Sequence, residues 1–347
     1  MKGKVIDVDY VETLIKKKQK PSKTIDTTSV FSRRFDNKDA KTCWLNSCLQ
    51  GMLSAIDYSE LPKGFTSSLG KELLKMHSNE NIEVKDPGSL LDIVCKADND
   101  RVDLAIEDLQ VNIQDPSLLR KRITSLENDR LALFGQQQCV RDFYISLTLN
   151  KSNWEDVFNF LHFKREELTR CGNPNCLVII SQNPEKCIYE EIEVPIYPST
   201  LAKSIEAHFS QPKQIMWRCG NGCLKQTYSD HYTKIVNLKD TEYLTILLAR
   251  AVWDYNGKPV LKDTDVNSAD IVKIVENGEE FEYKAITVVS YMGNINSQGH
   301  SGGHYTADVL CKSNGKWYRT SDSMDPQEIE VSNISKNRIL LLYKRIS

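Results

Sequence analysis

The chain has 347 residues, 40% of them apolar and 27% charged, with 45 Lys plus Arg against 47 Asp plus Glu for a formal charge of −2. That is enough hydrophobic material for a sizeable core in one large domain or two to three ordinary ones, and it excludes wholesale disorder and a short disulfide-stapled scaffold. With no excess of positive charge to follow a phosphate backbone, nucleic acid is not expected as a main partner.

Residues 1–30 mix Lys clusters (Lys16 to Lys18, Lys20) with Pro21 and a Ser/Thr-rich run, and read as a loosely attached N-terminal extension. The first twenty residues have scattered charges and no continuous apolar run, so they do not read as a Sec-type signal, and an intracellular setting is expected. From Thr42 the pattern changes. Leu45, Leu49, Met52, Leu53 and Ile56 fall on one helical face, with Cys43 at the helix start. Further helices are predicted over about 64–77, 88–96, 116–127, 138–150 and 153–163. After Cys171 alternation and β-branched or aromatic runs take over, and strands are predicted over 188–196, 214–218, 226–238, 243–253, 283–292, 304–311, 316–320 and 338–346, interrupted by one helix at about 199–209. Helices first and strands later, without a βαβ rhythm, predict an α+β fold with an antiparallel sheet. No apolar stretch approaches the roughly 20 residues needed to cross a bilayer, so membrane insertion is not expected.

Ten cysteines in a chain this long, with no signal sequence, point to thiol chemistry or metal before disulfides. Cys43, at a helix N-terminus, would have its thiolate stabilised by the positive end of the helix dipole, as a nucleophile requires. Near the other end of the chain, Gly302 and Gly303 precede His304, which opens a β-branched strand. The following strand, Lys316 to Thr320, returns so that Asp322 comes against the imidazole and fixes its tautomer, as the third member of a triad does. Taken singly, a cysteine is more often a small core residue and a histidine more often structural. Cys171-Gly-Asn-Pro-Asn-Cys176 and Cys219-Gly-Asn-Gly-Cys223 form two turn-rich pairs, and four thiolates on two tight turns are what a structural tetrahedral zinc site needs. The alternative is four unrelated reduced thiols. Cys48, Cys95, Cys187 and Cys311 lie on apolar-patterned segments and read as packing residues.

The segment TCWLNSCLQ (42–50) resembles the Cys box of the ubiquitin-specific protease family, and GGHYTADV (302–309) followed by Trp317-Tyr318 resembles its His box. Between them, GQQQCVRDF (135–143) is similar to the family's Gln-Gln-Asp-Ala-x-Glu-Phe segment, and YLTILLARAVWD (243–254) to the strand that usually ends in Lys-Arg-Phe. The four motifs occur in the family's order over about residues 30–347. The resemblance implies a papain-like cysteine protease fold with a helical thumb (about 31–163), β fingers (about 165–240) and a β-rich palm (about 241–347). It also implies a thiol-dependent deubiquitinase that cleaves after the C-terminal Gly-Gly of ubiquitin in conjugates. Its partners would be ubiquitin or ubiquitinated proteins in the cytoplasm or nucleus, or in the host cytoplasm for a pathogen protein, with no organic cofactor.

On this resemblance Cys43 is the nucleophile and His304 the general base and then acid. Where the family has Trp-Tyr-x-Phe-Asp/Asn-Asp, this chain puts Ser321 at the usual orienting position and Asp322 at the next, so Asp322 is the expected carboxylate, with Asp325 in reserve. The family's oxyanion Asn lies five residues before the nucleophile, a place held here by Lys38. Asn37, one residue further, is the candidate donor beside the Cys43 N–H, with Lys38 or backbone N–H groups alone as the alternative. Asp142 matches a glutamate that meets the basic tail of ubiquitin, whereas the preceding acidic position is Cys139. The resemblance places the four zinc-candidate cysteines at the fingertips. Two other readings stay open: a ubiquitin-binding module of the same fold with weak or no turnover, and a protease for a ubiquitin-like modifier.

Overall fold

A computed structural model describes residues 34–37, 42–55, 65–78, 84–128, 140–149, 154–176, 178–193, 201–220, 222–249, 251–253, 259–261, 271–293, 303–311, 314–334 and 337–346. The expected extension over 1–30 lies outside the described residues, as do Lys38 and Cys139. The first part of the chain is helical: α1 (Cys43–Ala55), α2 (Ser68–Ser78), α3 (Gly88–Asn112), α4 (Pro116–Asn128), α5 (Val140–Leu149) and α6 (Glu155–Leu161), with two short parallel-paired strands, β1 (Arg34–Phe35) and β2 (Val84–Lys85). Strands follow: β3 (Phe163–Arg170), β4 (Ile179–Ser181), β5 (Glu185–Cys187) and β6 (Glu190–Glu193). Helix α7 (Leu201–Ser210) then precedes β7 (Lys213–Arg218) and β8 (Gln226–Val236). The chain continues through β9 (Tyr243–Ala249), β10 (Ala251–Trp253), β11 (Pro259–Leu261), β12 (Ile271–Glu276), β13 (Glu279–Gly293), β14 (Gly303–Leu310), β15 (Trp317–Thr320), β16 (Gln327–Ile329) and β17 (Arg338–Arg345). The expected α+β class is what is found. No helix among the described residues is long and apolar enough to cross a membrane.

Two sheets organise the strands. The larger has the order β16-β15-β14-β13-β17-β9-β6, with β12 also on β13, and is antiparallel except for β6 with β9. The smaller runs β4-β3-β8-β7 with β5 also on β3. Most strands of the larger sheet were legible because its centre is buried on both faces: β9 is buried from Tyr243 to Leu248, and β17 is buried at Arg338 and from Leu340 to Tyr343. Such strands read as continuous apolar runs.

Two local expectations are corrected, and two strands have no counterpart among the predicted elements. Helix α1 is buried on all sides rather than on one face, because Asn46, Ser47 and Gln50 are as buried as Leu45 and Leu49. It lies directly on the sheet: Thr287 Oγ1 donates to the Gly51 carbonyl at 3.0 Å, and a Cβ at Gly51 would stand 2.5 Å from Thr287 Cγ2. Helix α3 runs sixteen residues past the expected end at 96, since Val102, Ile106 and Leu109 continue an apolar stripe through a charged stretch and α4 packs beside it. Strand β3, Phe-Lys-Arg-Glu-Glu-Leu-Thr-Arg, has helix-forming residues but is paired on both edges, and tertiary pairing overrides propensity. Strand β12, which forms a hairpin with β13, has no predicted counterpart. Asn277 and Gly278, at φ 53° and 84°, make the hairpin's two-residue turn, the left-handed geometry that Asn-Gly favours.

A buried ionic group joins the two sheets. His208 Nε2 of α7 lies 2.8 Å from Glu190 Oε1 of β6, and Arg165 Nη1 of β3 donates to Glu190 Oε2 at 3.2 Å while also pairing with Glu185 and Glu167. Cys187, buried beside this group, has its thiol pushed up to about 12, first by desolvation, which makes it a packing residue and not a nucleophile.

Candidate active site and metal centre

Cys43 opens α1 and is 1% exposed. His304 is the second residue of β14, against which α1 packs, so segments far apart in sequence are brought together. Thr42, just before the helix, receives Asn46 N–H on its carbonyl at 2.9 Å, closing the first helical turn.

The imidazole of His304 has its Nε2 2.7 Å from Ser321 Oγ, while the nearest carboxylate oxygen, Asp322 Oδ2, lies 3.9 Å away. The residue expected to bond the histidine was Asp322. In the structure the hydrogen-bond distance belongs to Ser321, because Ser321 directly continues β15 and Asp322 turns away at φ 44°. This left-handed turn, closed by Met324 N–H on the Ser321 carbonyl at 2.9 Å, aims both the side chain and the carbonyl of Asp322 inward. Asp322 Oδ2 accepts from Asn37 Nδ2 at 2.9 Å, and Oδ1 from Asn46 Nδ2 at 2.7 Å. Its carbonyl accepts from Gln50 Nε2 at 2.9 Å and from Phe35 N–H at 3.1 Å. One residue thus ties β1, the segment before α1, α1 itself and the end of β15.

Asn37 is the link between this carboxylate and the helix start, since its Oδ1 accepts from both Thr42 N–H and Thr42 Oγ1 at 2.9 Å. Asn46 and Gln50 had no role in the sequence reading. Their signal was the four-residue spacing Thr42, Asn46, Gln50, a polar stripe on one face of a helix otherwise read for its apolar residues. Asp325 is drawn elsewhere, to an ion pair with Arg34 at 3.0 Å, where it is 82% exposed. Asp142 lies on α5, whose Val140, Phe143 and Tyr144 are buried and whose Phe143 ring meets Trp44 of α1 edge to face at 6.2 Å. The Asp142 segment therefore flanks the Cys43 helix.

The four remaining candidate cysteines come together at the far end of the smaller sheet. Cys171 follows β3, Cys176 precedes β4, Cys219 follows β7 and Cys223 precedes β8. Their sulfurs all lie within 4.8 Å of one another. Cys171 Sγ is 3.8 Å from Cys223 Sγ, and Cys176 Sγ is 3.8 Å from Cys219 Sγ. A tetrahedron with Zn–S bonds of about 2.3 Å has S···S edges of about 3.8 Å, so the donor set fits that ion. The unequal spacing of the two pairs is absorbed locally. In each, the N–H of the first cysteine donates to the carbonyl two residues past the second: Cys171 to Val178 at 3.0 Å, and Cys219 to Lys225 at 3.1 Å. The four thiols are not alike: the Asn173 side chain and then the Lys225 N–H hold Cys223 down to about 6, and the Val178 N–H lowers Cys176, whereas at Cys171 the Asn173 N–H lowers the thiol but burial and the other three cysteines outweigh it and push it up to about 11.

No protein-family model and no curated protein matches this sequence. Solved structures do match. The SAGA Ubp8/Sgf11/Sus1/Sgf73 DUB module bound to ubiquitin aldehyde, and the module with a Ubp8 variant bound to monoubiquitin, each align over 98% of this chain and 74% of the matched chain, at 15% identity and a TM-score of 0.60. The yeast SAGA DUB module with an Sgf73 variant aligns over 98% and 73%, at 16% identity and a TM-score of 0.58. The chain therefore has the α+β fold of these deubiquitinase-module structures.

Proposed function

We propose that this chain is a thiol-dependent hydrolase that cleaves after the C-terminal Gly-Gly of ubiquitin in conjugates, acting inside a cell. The observation that carries the reading is His304, held at Nε2 by Ser321 and set on the strand against which the Cys43 helix packs, within a fold shared with ubiquitin-bound structures. With Nε2 engaged, Nδ1 is the nitrogen left to take the Cys43 proton and later return it to the leaving amine. A hydroxyl orients the ring but carries no charge. Asp322 supplies the charge, with its Oδ2 3.9 Å from Nε2. Asp322 also fixes Asn37. One amide hydrogen of Asn37 goes to Asp322, and the other serves the tetrahedral oxyanion together with the Cys43 N–H. Asp142 meets the basic tail of ubiquitin. A structural zinc ion on Cys171, Cys176, Cys219 and Cys223 would clamp the two turns of the fingers, and the helices, the smaller sheet and the larger sheet act as thumb, fingers and palm.

A ubiquitin-binding module without turnover is the rival, favoured by the neutral Ser321 on the imidazole. The deciding experiment uses ubiquitin bearing a C-terminal electrophile. Covalent capture that disappears in Cys43→Ala, together with hydrolysis of a ubiquitin C-terminal amide, is the expected result. Binding without an adduct establishes the rival, and an adduct only with a probe built on a ubiquitin-like protein reassigns the modifier.

A further inference from the structure

Strands β14 and β15 carry His304 and Ser321, and their register decides whether those residues meet. Four pairs run from Ala307 with Thr320 to Leu310 with Trp317, and the connecting turn adds Cys311 N–H on the Lys316 carbonyl and Gly315 N–H on the Cys311 carbonyl, both at 2.8 Å. Ordinarily the alternation of apolar and polar residues specifies register, because a slip by one residue exchanges the core and solvent faces. Here that information is missing. Strand β14 is buried at every position from Tyr305 to Leu310, and β15 is buried at Trp317, Tyr318 and Thr320, so both faces are interior. The exception in β15 is Arg319, which sits opposite Asp308. Asp308 is fully buried, and Arg319 grips it through both oxygens, Nε to Oδ1 at 2.7 Å and Nη2 to Oδ2 at 2.9 Å. Nη2 also donates to the Asn333 carbonyl at 2.9 Å. A buried carboxylate is costly unless fully paired, and a fork-on-fork pair forms in one register only.

We infer that Asp308 and Arg319 are positioning residues that lock the β14/β15 register, so that Ser321 and Asp322 are delivered to the imidazole of His304. This rests on the proposed function for its catalytic consequence but not for its geometry. A slip of one residue moves Ser321 by about 3.3 Å, which removes it from hydrogen-bonding distance of Nε2. Stability alone does not call for such a pair, because replacing a buried ion pair by apolar residues of similar volume is often neutral or stabilising.

The test uses the full chain and three variants: Asp308→Asn, Arg319→Lys and the apolar double replacement Asp308→Val with Arg319→Leu. Register is read directly from interstrand NOEs joining Ala307 and Thr320. Turnover is read on a ubiquitin C-terminal amide, with kcat and KM separated. The double replacement is expected to melt at or above the wild-type temperature while its Ala307–Thr320 NOEs weaken and kcat falls on the order of 10²-fold with KM unchanged, since misplacement by an ångström or so costs that much. Arg319→Lys keeps the charge without the fork. It is expected to fold and to fall between wild type and the double replacement, so it stays readable if Asp308→Asn does not fold. A double replacement with native NOEs, or native NOEs and kcat in Arg319→Lys, overturns the inference. If wild type hydrolyses no ubiquitin substrate, the functional reading fails, while the NOEs still decide whether the pair sets the register.

Discussion

The cysteine cluster and the His304 site each converge several polar groups on one point, by opposite routes. In the cluster each half is a short turn pinched by a backbone bond from Cys171 to Val178 or from Cys219 to Lys225, so most of the geometry is local. In the other site Asn37 and Asp322 are 285 residues apart, and the link between them exists only once helix and sheet have docked. Local geometry survives an unusual spacing, whereas non-local geometry depends on every element between. Damage to the first should therefore appear as lost metal and stability, and damage to the second as lost chemistry.

The largest separation is expected at the non-local site. Asp322→Asn should lower turnover on the order of 10²- to 10⁴-fold with the turn intact, since Asn tolerates a positive φ, whereas Ser321→Ala should cost about tenfold. Both are measured under single-turnover conditions so that product release does not mask proton transfer. A serine variant slower than the asparagine variant would make the hydroxyl, not the charge, the main support of His304. At the local site, purified protein should contain about one zinc per chain, and Cys219→Ser should release it with a clear drop in melting temperature. Reduced, freshly purified protein without zinc would end the metal reading.

The smallest effect belongs to a contact in neither region. Asp156 of α6 accepts from Thr66 N–H at 2.6 Å and from Ser67 N–H at 2.8 Å, just ahead of α2. Desolvation tends to raise its pKa, but the hydrogen bonds from Ser67, Val157 and Thr66 outweigh it, and the net direction is downward from 3.8. A lowered carboxylate stabilises the fold fully above its unfolded value and ceases to do so as pH falls through the folded value. Asp156→Ala should therefore cost about 1 kcal/mol at pH 7, and the gap to wild type should close in acid below about pH 4. Denaturant melts at both pH values, with turnover unchanged at pH 7, would complete the contrast with the two sites.

What the sequence revealed follows the same division. The backbone around Cys43, His304 and the four cysteines was legible because each sits in a short segment whose residues imply it: a helix start, a Gly-Gly entry to a strand, two Gly/Asn turns. The identity of the imidazole's partner was not, because it hangs on one dihedral angle at Asp322 that no neighbouring residue announces. Strand β3 was hidden by its charges, of which Arg165 is met by Glu185 of the neighbouring β5 and by Glu190 of β6. Asn277-Gly278 is a readable hairpin signal, but the strand before it, Ile271–Glu276, is too short and too mixed in charge to stand out as an apolar run. Asp308 becomes intelligible only with Arg319 opposite it, a pairing across two strands.

The left-handed turn at Asp322 also limits what can stand there. Glycine fits the backbone but removes the carboxylate to which Asn37 and Asn46 donate. Alanine or a larger apolar residue fails on both counts. Asparagine keeps the turn, yet it presents an NH₂ to one of two amides that are themselves donors. Among the twenty side chains, only aspartate combines an easy positive φ with two acceptor oxygens on so short a stem. Mutational drift at this position therefore has no neutral direction, and a lineage that abandoned it would lose the shape of the turn or its charge in a single step.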